Sequence, residues 1–345
     1  MTFVLQKSMM NRIKHIALFV ALCSAVASAQ IVPNLGGQRV GISAYQFLKI
    51  GAGARGVAIG ESFIAFANDG SSLYWNPAGM VQFNETQVFA SHTNYVLDIN
   101  HDFAGAVYHT STSEAIGVSV ISLSTKDMEQ TTETQPFGTG RYFKYGDVAV
   151  GVSYARRMTD QFSFGVTVRY VSETLDMVRM NGIVTDLGTY YWTGVGSSRF
   201  AVVISNFGPD VAPSGEATMN NGTTVNTFQS FAPPTQFKFG FAMDAYKTED
   251  HKTTVAAAWL HPNDNTESLN LGVEWDWREM FFLRAGAKRA IGQAVFGTDL
   301  TGTGDITLGM GAATPVAGLK FGFDYAYTNF GLLGSVHRIS VNMGF

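Results

Sequence analysis

Hydrophobic and polar residues alternate with a period of two along most of this chain. The pattern is clearest at the end, where Ile339, Val341, Met343 and Phe345 alternate with polar or small residues from Arg338 onward. Successive side chains of a β-strand point to opposite faces, so this segment predicts a strand with one apolar and one polar face. Strands with one face for lipid and one for a hydrated interior are typical of transmembrane β-barrels.

The same alternation predicts about 14 strands, an even number as in single-chain bacterial barrels. The six strongly patterned segments are residues 237–243, 269–277, 281–286, 306–311, 319–328 and 338–345. The eight weaker ones are residues 86–97, 103–110, 115–123, 148–154, 162–170, 183–192, 199–207 and 253–260. Short connections such as 111–114 and 157–160 alternate with long ones such as 125–142 and 208–234. Short turns predict the periplasmic side and long loops the outside.

This pattern therefore predicts an all-β fold, an antiparallel transmembrane β-barrel in the bacterial outer membrane. A soluble β-sandwich is the alternative, although a single core cannot easily absorb so many all-aromatic strand faces. A terminal aromatic residue on such a strand is the signal read when outer-membrane barrels are inserted. Phe345 therefore predicts that the barrel-assembly machinery, as well as outer-membrane lipid, is a partner.

The start of the chain agrees with export. Arg12 and Lys14 form a basic region, residues 16–26 are apolar, and Ala27-Ser28-Ala29 is a cleavage site of the A-x-A type. Residues 1–29 therefore predict a secretory signal peptide that is cleaved after Ala29. The single cysteine, Cys23, lies within it, so the mature chain is expected to contain neither disulfides nor cysteine metal sites.

Composition narrows the function classes further. The chain has 23 Lys and Arg residues against 27 Asp and Glu residues, and cleavage would remove three of the basic ones. This acidic balance makes nucleic acid an improbable partner. After the signal, no apolar run reaches the roughly 18 residues that a membrane-spanning helix needs.

No motif predicts catalysis, a cofactor or a metal site. Residues 51–56 match G-x-G-x-x-G, but they lack the strand, the βαβ unit and the later acidic residue of a dinucleotide site. We interpret them as a tightly packed segment that closes on other backbone. No pair of histidines has H-x-x-x-H spacing, and there is no G-x-S-x-G motif. An enzyme is not supported, although a lone Ser and His from different strands would leave no such motif in the sequence.

Charged residues also occur on the small or polar strand faces, where a hydrated lumen is the least costly place for them. The predicted lumen-facing charges are Arg169, Lys238, Asp244, Glu274, Asp276, Arg284, Lys320, Asp324 and Arg338. They suit either a salt-bridged lumen or an ion-selective pore. Both signs are present, which favours the salt-bridged lumen, because a selective ring would carry mostly one sign.

One segment resembles a known family. Residues 47–60 (FLKIGAGARGVAIG) and 67–80 (ANDGSSLYWNPAGM) resemble the N-terminal signature of the PorV/PorQ family of outer-membrane proteins. The W-N-P-A-G element also resembles its counterpart in the FadL superfamily of 14-stranded barrels, whose N-terminal segment folds inside as a plug. Residues 201–208 are similar to a mid-chain strand of the family.

Together with the signal peptide predicted at 1–29, the resemblance implies a glycine-rich plug segment at 30–80 and the barrel at 81–345. The plug motif comprises Gly51, Gly53, Arg55, Gly56, Trp75, Asn76, Pro77, Ala78 and Gly79. Family members act in type IX secretion, so secreted cargo or other secretion-system components are the expected partners. The alternative is a FadL-like passive transporter of hydrophobic small molecules, for which Leu260 and Phe282 on otherwise small faces are the residue-level indication.

Overall fold

The computed structural model describes residues 41–218, 222–291, 306–316 and 318–345. The predicted signal peptide, its cleavage after Ala29 and residues 30–40 of the predicted plug segment lie outside this part of the chain.

Fourteen long strands form the wall. They are β1 Gln87–Asn94, β2 Asn100–Ser111, β3 Glu114–Ser124, β4 Tyr145–Arg157, β5 Phe162–Leu175, β6 Val178–Trp192, β7 Arg199–Phe207, β8 Gln236–Lys247, β9 His251–Pro262, β10 Ser268–Trp277, β11 Phe281–Ala290, β12 Ile306–Val316, β13 Leu319–Asn329 and β14 Ser335–Gly344. Each predicted strand overlaps one of these, so the strand prediction is confirmed. The alternation predicts these strands because every wall strand has one face toward lipid and one toward the interior.

The wall is a closed antiparallel barrel. Each strand pairs with the next in the chain, and β1 closes the ring on β14, with Gln87 opposite Gly344 and Asn94 opposite His337. Closure leaves no open sheet edge, which is what a bilayer requires of a β-structure. The predicted β-barrel fold is thereby confirmed.

The two faces of the strands differ in the sense expected for a membrane barrel. On β14, Arg338 and Ser340 point inward and are buried, whereas Ile339 and Val341 point outward and are exposed. β4 repeats this arrangement along its length. Apolar residues therefore cover the outside, whereas the inside carries buried polar and charged residues together with apolar ones such as Phe89 and Phe103.

The connections divide the barrel into two ends. Residues 112–113, 158–161, 193–198, 248–250, 278–280 and 317–318 join strands at one end, where β1 also begins and β14 ends. Residues 95–99, 125–144, 176–177, 208–235, 263–267 and 330–334 join them at the other end, where β11 also ends and β12 begins. Because short turns face the periplasm, we assign the first end to the periplasm and the second to the outside.

Two outer loops contain short ribbons of their own. Met128–Glu129 pairs with Tyr142–Phe143, and Ala217–Thr218 pairs with Thr224–Val225. Ser214–Gly215 extends the sheet beside β6. The loop at 208–235 does not lie wholly in solvent, because Val211 is buried in the core and the partly buried Phe231 packs against the same cluster.

The described helices are short, the longest being Ala54–Ala58 and Pro77–Val81. In the described ranges, no helix is long and apolar enough to cross a membrane.

Candidate functional site

The interior holds residues 41–86, here called the lumen segment. Four short helical turns lie along it: Gln46–Lys49, Ala54–Ala58, Ser72–Trp75 and Pro77–Val81. Most residues between 51 and 83 are buried. Ala54–Ala58 contacts β11 to β14, whereas Pro77–Val81 contacts β3 to β6. The lumen segment therefore reaches opposite sides of the wall.

Glycines on the inward strand faces admit the backbone of the lumen segment. A Cβ atom at Gly286 of β11 would overlap the backbone of Gly60, and one at Gly165 of β5 would overlap Pro77 and Ala78. Gly60 itself has a φ of 67°, a conformation that favours glycine. The small strand faces seen in the sequence are thus contact surfaces for a second layer of chain.

The G-x-G-x-x-G glycines pack against aromatic side chains rather than backbone, so our interpretation that they close on backbone was wrong in that detail. A Cβ at Gly56 would lie 2.6 Å from the Trp75 ring, and one at Gly51 would lie 3.1 Å from it. The Trp75 indole donates to the carbonyl of Ala52 at 2.8 Å. Gly53 has a φ of 83° and faces Phe89 of β1. Gly51 and Gly56 therefore leave room for the Trp75 ring, and Gly53 leaves room for Phe89.

The Asn76-Pro77-Ala78-Gly79 element forms a capped turn, as the Asn-Pro order predicts. The Asn76 side chain accepts from the Ala78 amide at 3.1 Å, and Pro77 is the first residue of the following turn. The other end of the Asn76 side chain donates to the carbonyls of Ile64 and Thr189, at 2.9 and 3.1 Å. One side chain thus joins the turn, the lumen segment and β6.

Arg55 connects the lumen segment to the wall. Its guanidinium donates to both Glu274 oxygens, each at 2.9 Å, and to Asp69 at 2.7 Å. Glu274 also accepts from Arg284 at 2.6 Å, and Arg284 donates to Asp324 at 2.6 Å. Alternating charges therefore run from the lumen segment across β10, β11 and β13. Two-pronged bonds between arginine and carboxylate fix orientation as well as distance.

A second anchor lies on the opposite side. Arg169 of β5 pairs with Asp186 of β6 and donates to the carbonyl of Leu73 at 2.9 Å. Asp186 also accepts from the Asn206 amide at 2.8 Å. Arg169 and Asp186 are buried, so this ion pair is shielded from solvent.

The remaining predicted lumen charges fall into three situations. Asp244 accepts from Arg199 at 3.3 Å, and Asp276 pairs with Lys252 at 3.0 Å. Lys320 is largely exposed at the periplasmic end, where it pairs with Glu85. Lys238 and Arg338 are buried, and neither forms an ion pair with another described residue.

Sequence reasoning missed several inward charges that hold the lumen segment. Arg199, the first residue of β7, donates to the Ala65 carbonyl at 3.2 Å. Lys288 of β11 donates to Glu61 at 2.6 Å. The period of two places Arg199 and Lys288 on inward faces, so their orientation could have been found, but their partners could not.

Both ends of the lumen segment are fixed. At the outer end, the Ala44 amide donates to Ala232, and Lys49 donates to both oxygens of Asp264 at 2.9 Å. Burial raises the pKa of Asp264, but hydrogen bonds from Gln46 and Lys49 outweigh it and lower the pKa overall. At the periplasmic end, Gln82 donates to Ser163 of β5 at 3.0 Å. The segment therefore runs from one mouth of the barrel to the other.

The wall is irregular between β6 and β7. Their pairing shifts between Thr185 and Leu187, and Asn206 has a φ of 58°. Beyond Phe207, the outer part of β6 has no β7 partner in the described residues, and the side chain of Asp186 bonds the Asn206 amide instead. A bulge of this kind bends a strand and interrupts pairing locally.

Within the described ranges, no group of three or more His, Cys, Asp or Glu side chains could hold a metal ion. The candidate site is therefore the filled lumen together with the outer loops attached to it.

Comparison with solved structures defines the fold class. The Ralstonia pickettii toluene transporter TbuX has a TM-score of 0.54 at 12% identity, over 85% of this chain and 97% of that one. The Pseudomonas putida toluene transporter TodX has a TM-score of 0.54 at 11% identity, over 84% and 95%. A Pseudomonas aeruginosa FadL homologue has a TM-score of 0.51 at 11% identity, over 85% and 98%. The chain therefore has the FadL-like fold of an outer-membrane β-barrel.

The family follows from the sequence. The model of a family described as type IX secretion system protein PorV matches residues 34–258, more than half of the chain. This protein belongs to that family. No curated protein matches it.

Proposed function

We propose that this protein is a non-enzymatic interaction component of type IX secretion that binds secreted cargo or other secretion-system proteins at the outer surface. Membership of the PorV family is the observation that carries the proposal. In this proposal, the lumen segment is a plug, and the outer loops provide the binding surface. Loops on a rigid scaffold are common sites of binding.

The outer loops suit this role because their ribbons give them defined shapes. In the loop at 125–144, Gln130 and Arg141 bond through their backbones at 2.8 Å, and Phe137 projects almost fully into solvent. In the loop at 208–235, Ala217 pairs with Val225. Ordered loops lose less entropy on binding than flexible ones.

The contents of the lumen also favour interaction over transport. Leu260, an indication of a transport path in the sequence, packs in one cluster with Ile64 of the lumen segment and Val203. Phe282, the other indication, lies 5.0 Å beneath the guanidinium of Arg284. These apolar side chains already have protein partners in the lumen.

Passive transport of hydrophobic small molecules is the second candidate. The interrupted pairing of β6 and β7 supports it, because a weakened seam in the wall offers a sideways route to the membrane. The FadL-like fold agrees with this candidate, but fold likeness alone does not assign a substrate.

Trimming the outer ribbons tests the proposal. One variant replaces residues 218–224 by Asn-Gly, a dipeptide that suits a two-residue turn between Ala217 and Val225. A second variant shortens the ribbon between Gln130 and Arg141 in the same way, and a third combines both. We expect each barrel to assemble and the double variant to lose most capture of secreted proteins from native membranes.

The two single variants serve as controls for each other and identify the loop that binds. Uptake of a radiolabelled monoaromatic hydrocarbon is measured in the same strains. If the double variant assembles and captures as much cargo as the parent protein, while hydrocarbon uptake falls, transport replaces interaction as the function.

A further inference from the structure

Three inward-facing polar side chains lie side by side near the outer end of the barrel. Thr93 of β1 is opposite Arg338 of β14 on one side and His101 of β2 on the other. Neighbouring strands bring such opposed residues to Cα separations of about 5 Å. The three side chains therefore form one continuous polar patch on the lumen wall.

All three side chains are buried, with 2%, 0% and 1% of the residue exposed for Arg338, Thr93 and His101. Each has a buried polar atom without a hydrogen-bond partner: Nε of Arg338, Oγ1 of Thr93 and Nε2 of His101. Buried polar atoms are normally satisfied, so three neighbouring exceptions indicate a missing common partner.

The charge of Arg338 specifies what that partner must be. Its only hydrogen bond within the described residues is a long one, 3.4 Å from Nη1 to the hydroxyl of Thr328. Glu61 acts on Arg338 electrostatically, but its carboxylate already accepts from Lys288 at 2.6 Å. A buried guanidinium to which no carboxylate is hydrogen-bonded is costly, and a group with its own negative charge stabilises it more than water does.

We propose that Arg338, Thr93 and His101 form a binding site for a small oxyanion of the carboxylate or phosphate class. The guanidinium can present two parallel N–H donors to two oxygens of such a group. The hydroxyl of Thr93 and Nε2 of His101, in the tautomer with its proton there, donate to the same oxygens. This site is independent of the secretion role proposed above.

Access to the site is from the outside. Two neighbouring outer turns carry Tyr95 and Phe330, whose rings meet edge to face at 5.5 Å. The Tyr95 ring lies 6.0 Å from the Arg338 guanidinium, at the point where β1 meets its outer turn. In this proposal, a small anion enters past this aromatic pair.

Calorimetric titration of the purified, folded barrel tests the proposal. Sodium acetate and sodium phosphate are the probes, with chloride adjusted to keep ionic strength constant. We expect saturable binding of at least one anion by the parent protein, and the tighter of the two identifies the class. Arg338→Gln should abolish it, and Thr93→Val, which removes only the hydroxyl, should weaken it about two- to tenfold.

Lys320→Gln is the matched control, because it removes the same charge from an inward strand position at the opposite end of the barrel. Its affinity should equal that of the parent protein. The proposal is overturned if the parent protein binds neither anion or if Arg338→Gln binds as tightly as the parent protein. Should Arg338→Gln not assemble, Thr93→Val decides, and unchanged affinity in that variant also overturns the proposal.

Discussion

Removing the Arg55 anchor should loosen the lumen segment while leaving the wall intact. The change to test is Arg55→Met, which keeps much of the side-chain volume but loses the charge. Glu274, of which 2% of the side chain is exposed, would lose two hydrogen bonds to Arg55 and keep Arg284 as its partner. Breaking a buried ion pair by removing one partner costs about 3–5 kcal/mol. Because Arg284 remains, we expect the lower value, about 3 kcal/mol.

An engineered thiol converts this energy into a measurable rate. The mature chain is expected to lack cysteine, and Ser72 is fully buried in the lumen segment, so Ser72→Cys provides a single buried probe. Its reaction with a maleimide reports how often the segment opens. Since 1.4 kcal/mol corresponds to a factor of ten, labelling should accelerate about 100-fold in the Arg55→Met background.

The control is Lys320→Met in the Ser72→Cys protein that retains Arg55. Its ion pair with Glu85 is solvent-exposed, and such pairs contribute about 0–1 kcal/mol, so labelling should rise less than about fivefold. If Arg55→Met labels within about threefold of the parent, Arg55 does not hold the segment closed and the reasoning fails.

Three further changes probe other parts of the molecule. Deleting Phe345 should lower membrane assembly while export across the inner membrane continues, which fractionation measures; full assembly would contradict its role as an insertion signal. Gly286→Ala should destabilise the barrel by about 1–3 kcal/mol through overlap with Gly60, whereas Gly322→Ala, with its nearest contact at 3.7 Å, should be tolerated in denaturant titrations. Val152→Arg on the lipid face should cost about 2–4 kcal/mol in bilayer refolding, and Val152→Leu should not.

The barrel wall could be predicted from sequence because each strand carries its own signal. Even residues 199–207, one of the weaker segments, predict a strand whose limits are the same in the structure. The predicted strand limits were less accurate where the alternation ends before the strand does. β5 continues to Leu175, beyond the alternating residues 162–170, and β6 begins at Val178, before the alternating residues 183–192. These outer extensions mix apolar residues such as Val171 and Leu175 with Ser172, Glu173 and Thr174, so the alternation is lost there.

The contacts of the lumen segment could not be predicted in the same way. Arg55 and Glu274 are separated by 219 positions, and Lys288 meets Glu61 across 227. Alternation gives the direction of a side chain but not its partner across a closed barrel. Only folding the segment inside brings these charges together.

The irregularity between β6 and β7 was also beyond prediction. Asn206 adopts a left-handed conformation there, which asparagine tolerates better than most residues. A single asparagine in a strand is not enough to predict a bulge. The side chain of Asp186 replaces a backbone partner at this point. This bond from the Asn206 amide to the Asp186 side chain depends on Arg169, which holds Asp186 in place.

The attachment of the lumen segment bears on the choice between the two candidate functions. A transported molecule would have to separate the segment from at least one anchor, and the Arg55 anchor alone is expected to contribute about 3 kcal/mol. A ligand can shift such an equilibrium only by its difference in affinity for the two states, which here means about 100-fold tighter binding to the open barrel. A protein bound to the outer loops requires no such opening. The outer end of the segment is nevertheless bonded to the loop at 208–235 through Ala232, so a partner on that loop contacts the element that also holds the lumen segment.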